Sequence, residues 1–187
     1  MKLTKKYSIK IPKNVKIIYN ETNDILVCVG FLSTKLLKLK LKLLINNSKN
    51  LIYVTSYDNK LSVKQSKQVL PHLRGTTTTL IKQILLETSV ILHKKLELVG
   101  VGYRSFIDKE NLLYFKLGFS HFIVFKVPLT LKTICFKSTN VCFFGNSLQE
   151  ITQLISKIRS YKKPEPYKGK GILYKNEKII LKEGKKV

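Results

Sequence analysis

The residues best suited to chemistry lie at the carboxyl end of the chain, in a strongly basic stretch over 162–187. This stretch holds nine lysines against three glutamates, with Tyr167 among them. A regular helix is disfavoured by two prolines and two glycines, Pro164, Pro166, Gly169 and Gly171. Lysines neutralise phosphates and release counterions, and a ring can stack on an unpaired base. The stretch therefore predicts a shaped segment that binds a phosphate-rich surface, where the glycines let the backbone approach closely.

Other kinds of reactive site find little support. The three histidines and three cysteines are scattered, without CxxC pairs or metal-ligand spacing, and the carboxylates form no acid/base pair: His72, His93, His121, Cys28, Cys135 and Cys142. The string GVGYRS has neither phosphate-loop pattern, so Gly100 and Gly102 are interpreted as a bulge or close backbone packing. We expect no catalysis, no metal and no cofactor.

The composition of the whole chain also indicates a polyanionic partner. Lys and Arg total 35 against 11 Asp and Glu, a formal net charge of +24 over 187 residues. Since no run reaches eighteen apolar residues, a transmembrane span is not expected, and because the lysine-rich run has strand rather than helical periodicity, a membrane-surface partner is not expected either. Only three basic residues are arginine, which leaves 35 − 3 = 32 lysines. This skew is typical of an AT-rich coding sequence, in an organelle genome or an AT-rich bacterium.

The elements that must position the basic stretch follow a plan that occurs twice. Short strand-like runs come first: YSIKI, VKIIY, ILVCVGF, KLLKLKLKLLI and LIYVT. A helix follows, with an apolar stripe at Leu80, Ile81, Ile84, Leu85 and Thr88, and Pro71 is expected to kink or interrupt its start. In the run LKLKLKL, strict alternation predicts leucines facing a core and lysines facing outwards.

The second half repeats this order. Its strand-like runs are KLELVGVGYRSFI, LLYFKLGFS, FIVFKVP, KTICFK and VCFFG. Ser147 and Glu150 form a capping box, and one helical face then carries Leu148, Ile151, Leu154, Ile155 and Ile158. The fold class is therefore predicted as α+β. Two tandem homologous domains are expected, each an antiparallel sheet packed with one helix, over 1–92 and 93–161, followed by a basic extension over 162–187 packed on the second repeat.

Four strings, LRGTTTTLI, KKLELVGVGYR, LGFSH and PEPYKGKGILY, occur in an order and at intervals that resemble the large-subunit ribosomal protein L6 family in its bacterial and organellar form. The resemblance covers about 9–186. It implies a structural role in the large ribosomal subunit, beside neighbouring ribosomal proteins and near the factor-binding region at the sarcin–ricin loop and the stalk base. No homo-oligomer is expected. Carried over by position, the rRNA-binding residues are Arg104, Arg159, Lys162, Lys163, Tyr167, Lys168, Gly169, Lys170 and Gly171.

Three residues depart from what is usual in that family. Thr78 and Leu173 stand where basic residues are usual, and Phe122 stands where proline is usual. The alternative function is a free-standing RNA-binding regulator or RNA chaperone, which an RNP1 motif or a flanked GXXG loop would favour. Neither motif is present. The composition favours a mitochondrial ribosome, with a plastid or the cytoplasm of an AT-rich bacterium as alternatives.

Overall fold

The computed structural model describes residues 7–55, 63–108 and 110–184. The chain divides into two compact units, Met1–Ile91 and Leu92–Val187. In the residues described, each unit combines antiparallel sheets with one helix, which confirms the predicted α+β class. Within the described residues, each unit has two sheets where one was expected. None of the helices in the described parts of the chain is long and apolar enough to cross a membrane.

The described residues of the first unit form six strands and one long helix. The strands are β1 (Ser8–Lys10), β2 (Lys16–Asn20), β3 (Ile25–Val29), β4 (Thr34–Lys38), β5 (Leu43–Asn46) and β6 (Leu51–Val54), and the helix is α1 (Val63–Ser89). They form two sheets, ordered β2-β3-β4 and β1-β6-β5. Because α1 packs against strands of both sheets, one core is enclosed, which includes Leu26, Cys28, Ile52, Ile81 and Leu85.

The run LKLKLKL keeps its predicted alternation but is not one strand. Leu39, Leu41 and Leu43 are buried, and the three lysines between and before them are exposed. Yet β4 ends at Lys38 and pairs with β3, whereas β5 begins at Leu43 and pairs with β6. The alternation persists across the break because both segments bury leucines in the same core.

Pro71 does not interrupt α1. Interruption was one of the two expected outcomes, and a kink was the other. The proline is exposed, and the helix is continuous through it. Loss of one backbone N–H is tolerated because later turns are anchored by packing, with Ile81, Leu85 and Thr88 buried. Leu80, predicted to lie on the buried stripe, is exposed instead.

In the second unit, the part of the chain that the structure describes forms seven strands and one helix. They are β7 (Leu92–Val99), β8 (Arg104–Ile107), β9 (Leu112–Lys116), β10 (Ile123–Lys126), β11 (Lys132–Lys137), β12 (Asn140–Gly145), α2 (Leu148–Tyr161) and β13 (Gly171–Tyr174). The sheet orders are β11-β12-β7-β13 and β10-β9-β8. Four of the five predicted apolar residues of α2, Ile151, Leu154, Ile155 and Ile158, are buried in the core of this unit.

The motif GVGYR is explained by packing within the protein. KLELVGVGYRSFI divides at a turn, so that β7 and β8 belong to different sheets. The Tyr103 ring is buried, and a Cβ added to Gly100 would lie 2.9 Å from it. A Cβ on Gly118, in the LGFSH turn, would lie 3.4 Å from the same ring. The two glycines thus make room for one tyrosine, which confirms the interpretation of Gly100 as a close-packing position.

Two details of the second unit refine the prediction. The Ser147 hydroxyl accepts from the Glu150 N–H at 3.4 Å, as an N-cap does, but the Glu150 carboxylate accepts from the Thr130 hydroxyl at 2.9 Å. The basic extension is also partly inside the fold, since β13 pairs with β7 and Ile172 is fully buried. The parts of the extension outside the sheet are therefore residues 162–170 before β13 and residues 175–184 after it.

Candidate nucleic-acid interface

The connection between α2 and β13, residues 162–170, forms a closed loop, which we call the basic loop. The Glu165 N–H donates to the Lys170 carbonyl at 2.9 Å, and the Gly169 N–H donates to the Glu165 carbonyl at 2.9 Å. At the base, the Ile172 N–H donates to the Lys162 carbonyl at 2.9 Å. These bonds fix the backbone without any partner molecule, so the loop has its shape before it meets a ligand.

The tip of the basic loop presents a ring and a charge to solvent. Tyr167 is 54% exposed, and Lys168 beside it is exposed as well. The chain after β13 returns to the loop, because the Lys182 N–H donates to the Pro166 carbonyl at 2.9 Å. The tip is therefore held from two sides while its ring stays open.

The two glycines of the loop have different structural reasons. Gly169 has φ +67°, a left-handed conformation that glycine adopts without steric cost. Gly171 is buried with φ +153°, and a Cβ added there would lie 2.6 Å from Pro164 Cα and 2.8 Å from the Lys163 carbonyl oxygen. The fold itself requires glycine at 171. Close approach to an RNA backbone, the reason first inferred, is not needed to explain it.

Lys162 links the basic loop to the LGFSH turn. Its ammonium lies 4.7 Å from the centroid of the Phe119 ring, and that ring stacks with His121 at 5.9 Å. A cation over an aromatic face is attracted by the ring quadrupole. The basic loop and the LGFSH turn, which are far apart in the sequence, thus meet at one place. Phe119 was missed as a neighbour of the site, although its membership of a motif string was a signal.

Arg159 serves the fold of the second unit. Its guanidinium donates to the Glu177 carboxylate and lies 4.9 Å from the Tyr174 ring centroid. The other oxygen of Glu177 accepts from the Tyr174 N–H at 3.0 Å. Arg159 therefore fastens the end of β13 to α2, and its charge is matched within the protein. A contact of this side chain with rRNA stays a prediction.

The predicted site residues fall into two groups. Six lie in the basic loop and Gly171 follows it directly: Lys162, Lys163, Tyr167, Lys168, Gly169, Lys170 and Gly171. Arg159 precedes the loop on the last turn of α2. Arg104 lies elsewhere, exposed at the start of β8 and opposite Lys116 of β9. The loop, α2 and β13 bring the first set together, while Arg104 belongs to another sheet.

The three departures from the family pattern have structural places. Thr78 is buried on α1, where its hydroxyl donates to the Arg74 carbonyl at 2.6 Å. Leu173 lies in β13 opposite Glu97. Phe122 is exposed and meets the Phe106 ring edge-on at 5.9 Å. A proline at 122 would not supply this ring contact.

Metal-binding and thiol chemistry can be checked directly in the described residues. Among the described residues, no three His, Cys, Asp or Glu side chains are grouped so as to hold a metal ion. The three cysteines are free, and burial raises the pKa of the Cys28 thiol to about 11. A thiol with a raised pKa is a poor nucleophile at neutral pH.

Known proteins that are similar to this chain indicate its family. The family profile of Ribosomal protein L6 matches residues 99–175, a span that holds α2, the basic loop and β13. Large ribosomal subunit protein uL6 of Mycoplasmoides gallisepticum is 41% identical over 95% of this chain and 92% of its own. The chain belongs to the uL6 family. Membership confirms the resemblance found in the sequence, and uL6 proteins are structural proteins of the ribosome, so the chain is not an enzyme.

Other uL6 relatives are similar over the same extent. The uL6 protein of Chloroherpeton thalassium is 37% identical over 96% of this chain and 95% of its own. The protein named uL6m from Reclinomonas americana is 38% identical over 95% of each chain. Since these matches include both units, the whole chain follows the uL6 plan.

Proposed function

We propose that this uL6 chain is a structural constituent of the large ribosomal subunit that binds large-subunit rRNA through its basic loop. The observation that carries the proposal is the self-closed backbone of the loop, which presents Tyr167 and Lys168 to solvent. Four lysines surround one exposed glutamate, Glu165. A preformed cationic surface binds phosphates without the entropic cost of ordering a flexible tail.

The mechanism is positioning. The second unit holds the loop between α2 and β13, and lysines of the loop meet phosphates while the Tyr167 ring meets a base or a ribose. Affinity arises chiefly from counterion release, and the fixed loop shape contributes specificity. We place this contact near the translation-factor site, at the sarcin–ricin loop and the stalk base, because that is what family membership implies.

We further propose the mitochondrial ribosome as the location. What supports it is the lysine-rich, arginine-poor composition together with similarity to the uL6m protein of Reclinomonas americana. The similarity to bacterial uL6 proteins is equally close, so a bacterial or plastid ribosome is the competing location. Fractionation of the source cells, with the chain traced by an antibody, separates these locations.

Sedimentation of native extract tests the function. We expect the chain to travel with large subunits in modest salt. The variant Lys168→Ala with Lys170→Ala should bind an rRNA fragment more weakly, and the slope of log affinity against log salt should fall by about one unit for each lysine. Lys13→Ala with Lys49→Ala, two lysines in turns of the first unit, is the charge-matched control. A chain that stays free of subunits would instead support a regulator or RNA chaperone.

A further inference from the structure

A second surface with the chemistry of an RNA site lies on the sheet β10-β9-β8. The inner side of this sheet is buried, with Leu113, Phe115 and Ser105 in the interior. The outer side carries three rings near one another, those of Phe106, Tyr114 and Phe122. We call this outer side the aromatic face. Neither the basic loop nor α2 supplies any of its residues.

The register of the sheet places these rings in adjacent rows. Phe106 lies opposite Tyr114, and Tyr114 lies opposite Val124. The Phe106 and Tyr114 rings are stacked, with centroids 4.9 Å apart and planes 7° apart. Phe122 stands just before β10 and meets Phe106 edge-on. The three rings therefore form one contiguous aromatic surface.

The aromatic face is open to solvent rather than covered by the protein. Phe106 is 46% exposed and Phe122 is 50% exposed, while Val124 beside them is also exposed. Large apolar side chains that stand singly on a surface are ordinary, but a contiguous group marks an interaction site. The stacking of Phe106 on Tyr114 holds the rings in place before any partner arrives.

Basic side chains surround the rings. Arg104 and Lys116 face one another in the row beside Phe106 and Tyr114. Lys126 lies at the far end of β10, opposite Leu112. All three cations are exposed. Asp108 and Glu110, in the turn between β8 and β9, are the described carboxylates next to this face in the sequence, and the three cations outnumber them.

We propose that the aromatic face binds unpaired bases of single-stranded RNA, with the rings stacking on bases and Arg104, Lys116 and Lys126 meeting the adjoining phosphates. Rings among cations on an exposed sheet are the combination that sequence-tolerant single-strand binding requires, because every base has a π-face. The charge excess argues for a polyanion over an apolar protein surface. That the RNA is a loop or bulge of rRNA follows from the proposed function, whereas the ability of the face to stack on bases does not depend on it.

A single tryptophan provides a direct reporter. The chain has no tryptophan, so Phe122→Trp places the only one on the aromatic face. The fluorescence of this tryptophan, excited at a wavelength that tyrosine does not absorb, should be quenched by a short oligouridylate. A short RNA duplex, whose bases are already stacked, should quench it far less. Phe31→Trp, at an exposed ring of the first unit, is the matched control and should not respond.

A second set of variants separates stacking from charge and from folding. Phe106→Leu with Phe122→Leu keeps apolar bulk but removes two ring faces, and should weaken oligouridylate binding on the order of tenfold for each ring that stacks a base. Its salt slope should be unchanged. Arg104→Ala with Lys116→Ala should lower that slope by roughly 1.4, from about 0.7 for each phosphate contact on a single strand. Circular dichroism melts confirm that each variant is folded.

The outcomes distinguish this site from the basic loop. Fluorescence of the Phe122→Trp variant that oligouridylate fails to quench, or leucine variants that bind oligouridylate as tightly as the parent, would overturn the proposal even if loop variants still weaken rRNA binding. Quenching in a chain that fails to join large subunits would uphold the aromatic face and refute the proposed function. If the leucine variants instead lose a neighbouring ribosomal protein with RNA binding intact, the face docks protein and the proposal is wrong.

Discussion

Replacing Gly171 by alanine should unfold the base of the basic loop. The added Cβ would lie 2.6 Å from Pro164 Cα and 2.8 Å from the Lys163 carbonyl oxygen, where neither backbone atom can move independently of the loop. Inserting a methyl group into a packed site costs about 1–3 kcal/mol. A non-glycine residue held at a positive φ adds about 1–3 kcal/mol of strain. The free energy of unfolding should therefore fall by about 2–6 kcal/mol.

Urea unfolding followed by circular dichroism measures this change, with two alanine variants as controls. Gly169→Ala combines φ +67° with a contact of 3.4 Å to the flexible end of Leu181, so its cost should be only about 1–2 kcal/mol. Gly184→Ala has open space around the added carbon and should be neutral. If Gly171→Ala proves as stable as Gly184→Ala, the loop is not tightly packed against its own base and the argument for a preformed site fails.

Three further predictions concern the second unit and the first core. A double-mutant cycle on Arg159→Ala and Glu177→Ala should give a coupling free energy of about 1 kcal/mol. Arg159→Ala alone should leave the salt slope of rRNA binding unchanged. If the pair is not coupled or the slope falls, Arg159 contacts RNA instead of holding the fold. Burial raises the pKa of the Cys28 thiol from 9.0 to about 11, so as pH rises the thiol ionises in the unfolded chain before it ionises in the folded one. The parent should therefore lose roughly 3 kcal/mol of stability relative to Cys28→Val between pH 9 and 11. Melts of both chains at several pH values measure this, and parallel stability curves would contradict it. Truncation after Ser160 removes the buried Ile172 with β13 and should abolish cooperative unfolding of the second unit, and a truncated chain that melts cooperatively at the parental temperature would refute it.

Local patterns in the sequence were sufficient for the fold class. Period-two alternation and a capped apolar helix depend on which face of an element is buried, and both are visible in neighbouring residues. Element boundaries were less predictable. In LKLKLKL the burial pattern continues from Leu39 to Leu43 although pairing changes from β3 to β6, because pairing partners are set by distant strands.

The candidate site was predictable in composition and less so in detail. The sequence alone shows the lysines, the prolines and the ring at Tyr167, and it predicts that the basic loop is not helical. The partners of Arg159 and Gly171 are not, since Glu177 and Pro164 reach them only through the folded path of the chain. The aromatic face escaped notice for the same reason. Phe106, Tyr114 and Phe122 belong to three separate strand-like runs and become neighbours only in the sheet.

The most direct test of the central claim is photo-crosslinking from the tip of the basic loop. A photoreactive phenylalanine analogue in place of Tyr167 keeps an exposed aromatic ring at the tip, and the labelled chain is isolated with ribosomal subunits from cells that express it. The account predicts a crosslink to large-subunit rRNA at a defined nucleotide, weakened by Lys168→Ala with Lys170→Ala. A crosslink only to protein, or a labelled chain missing from the large subunit, would contradict it.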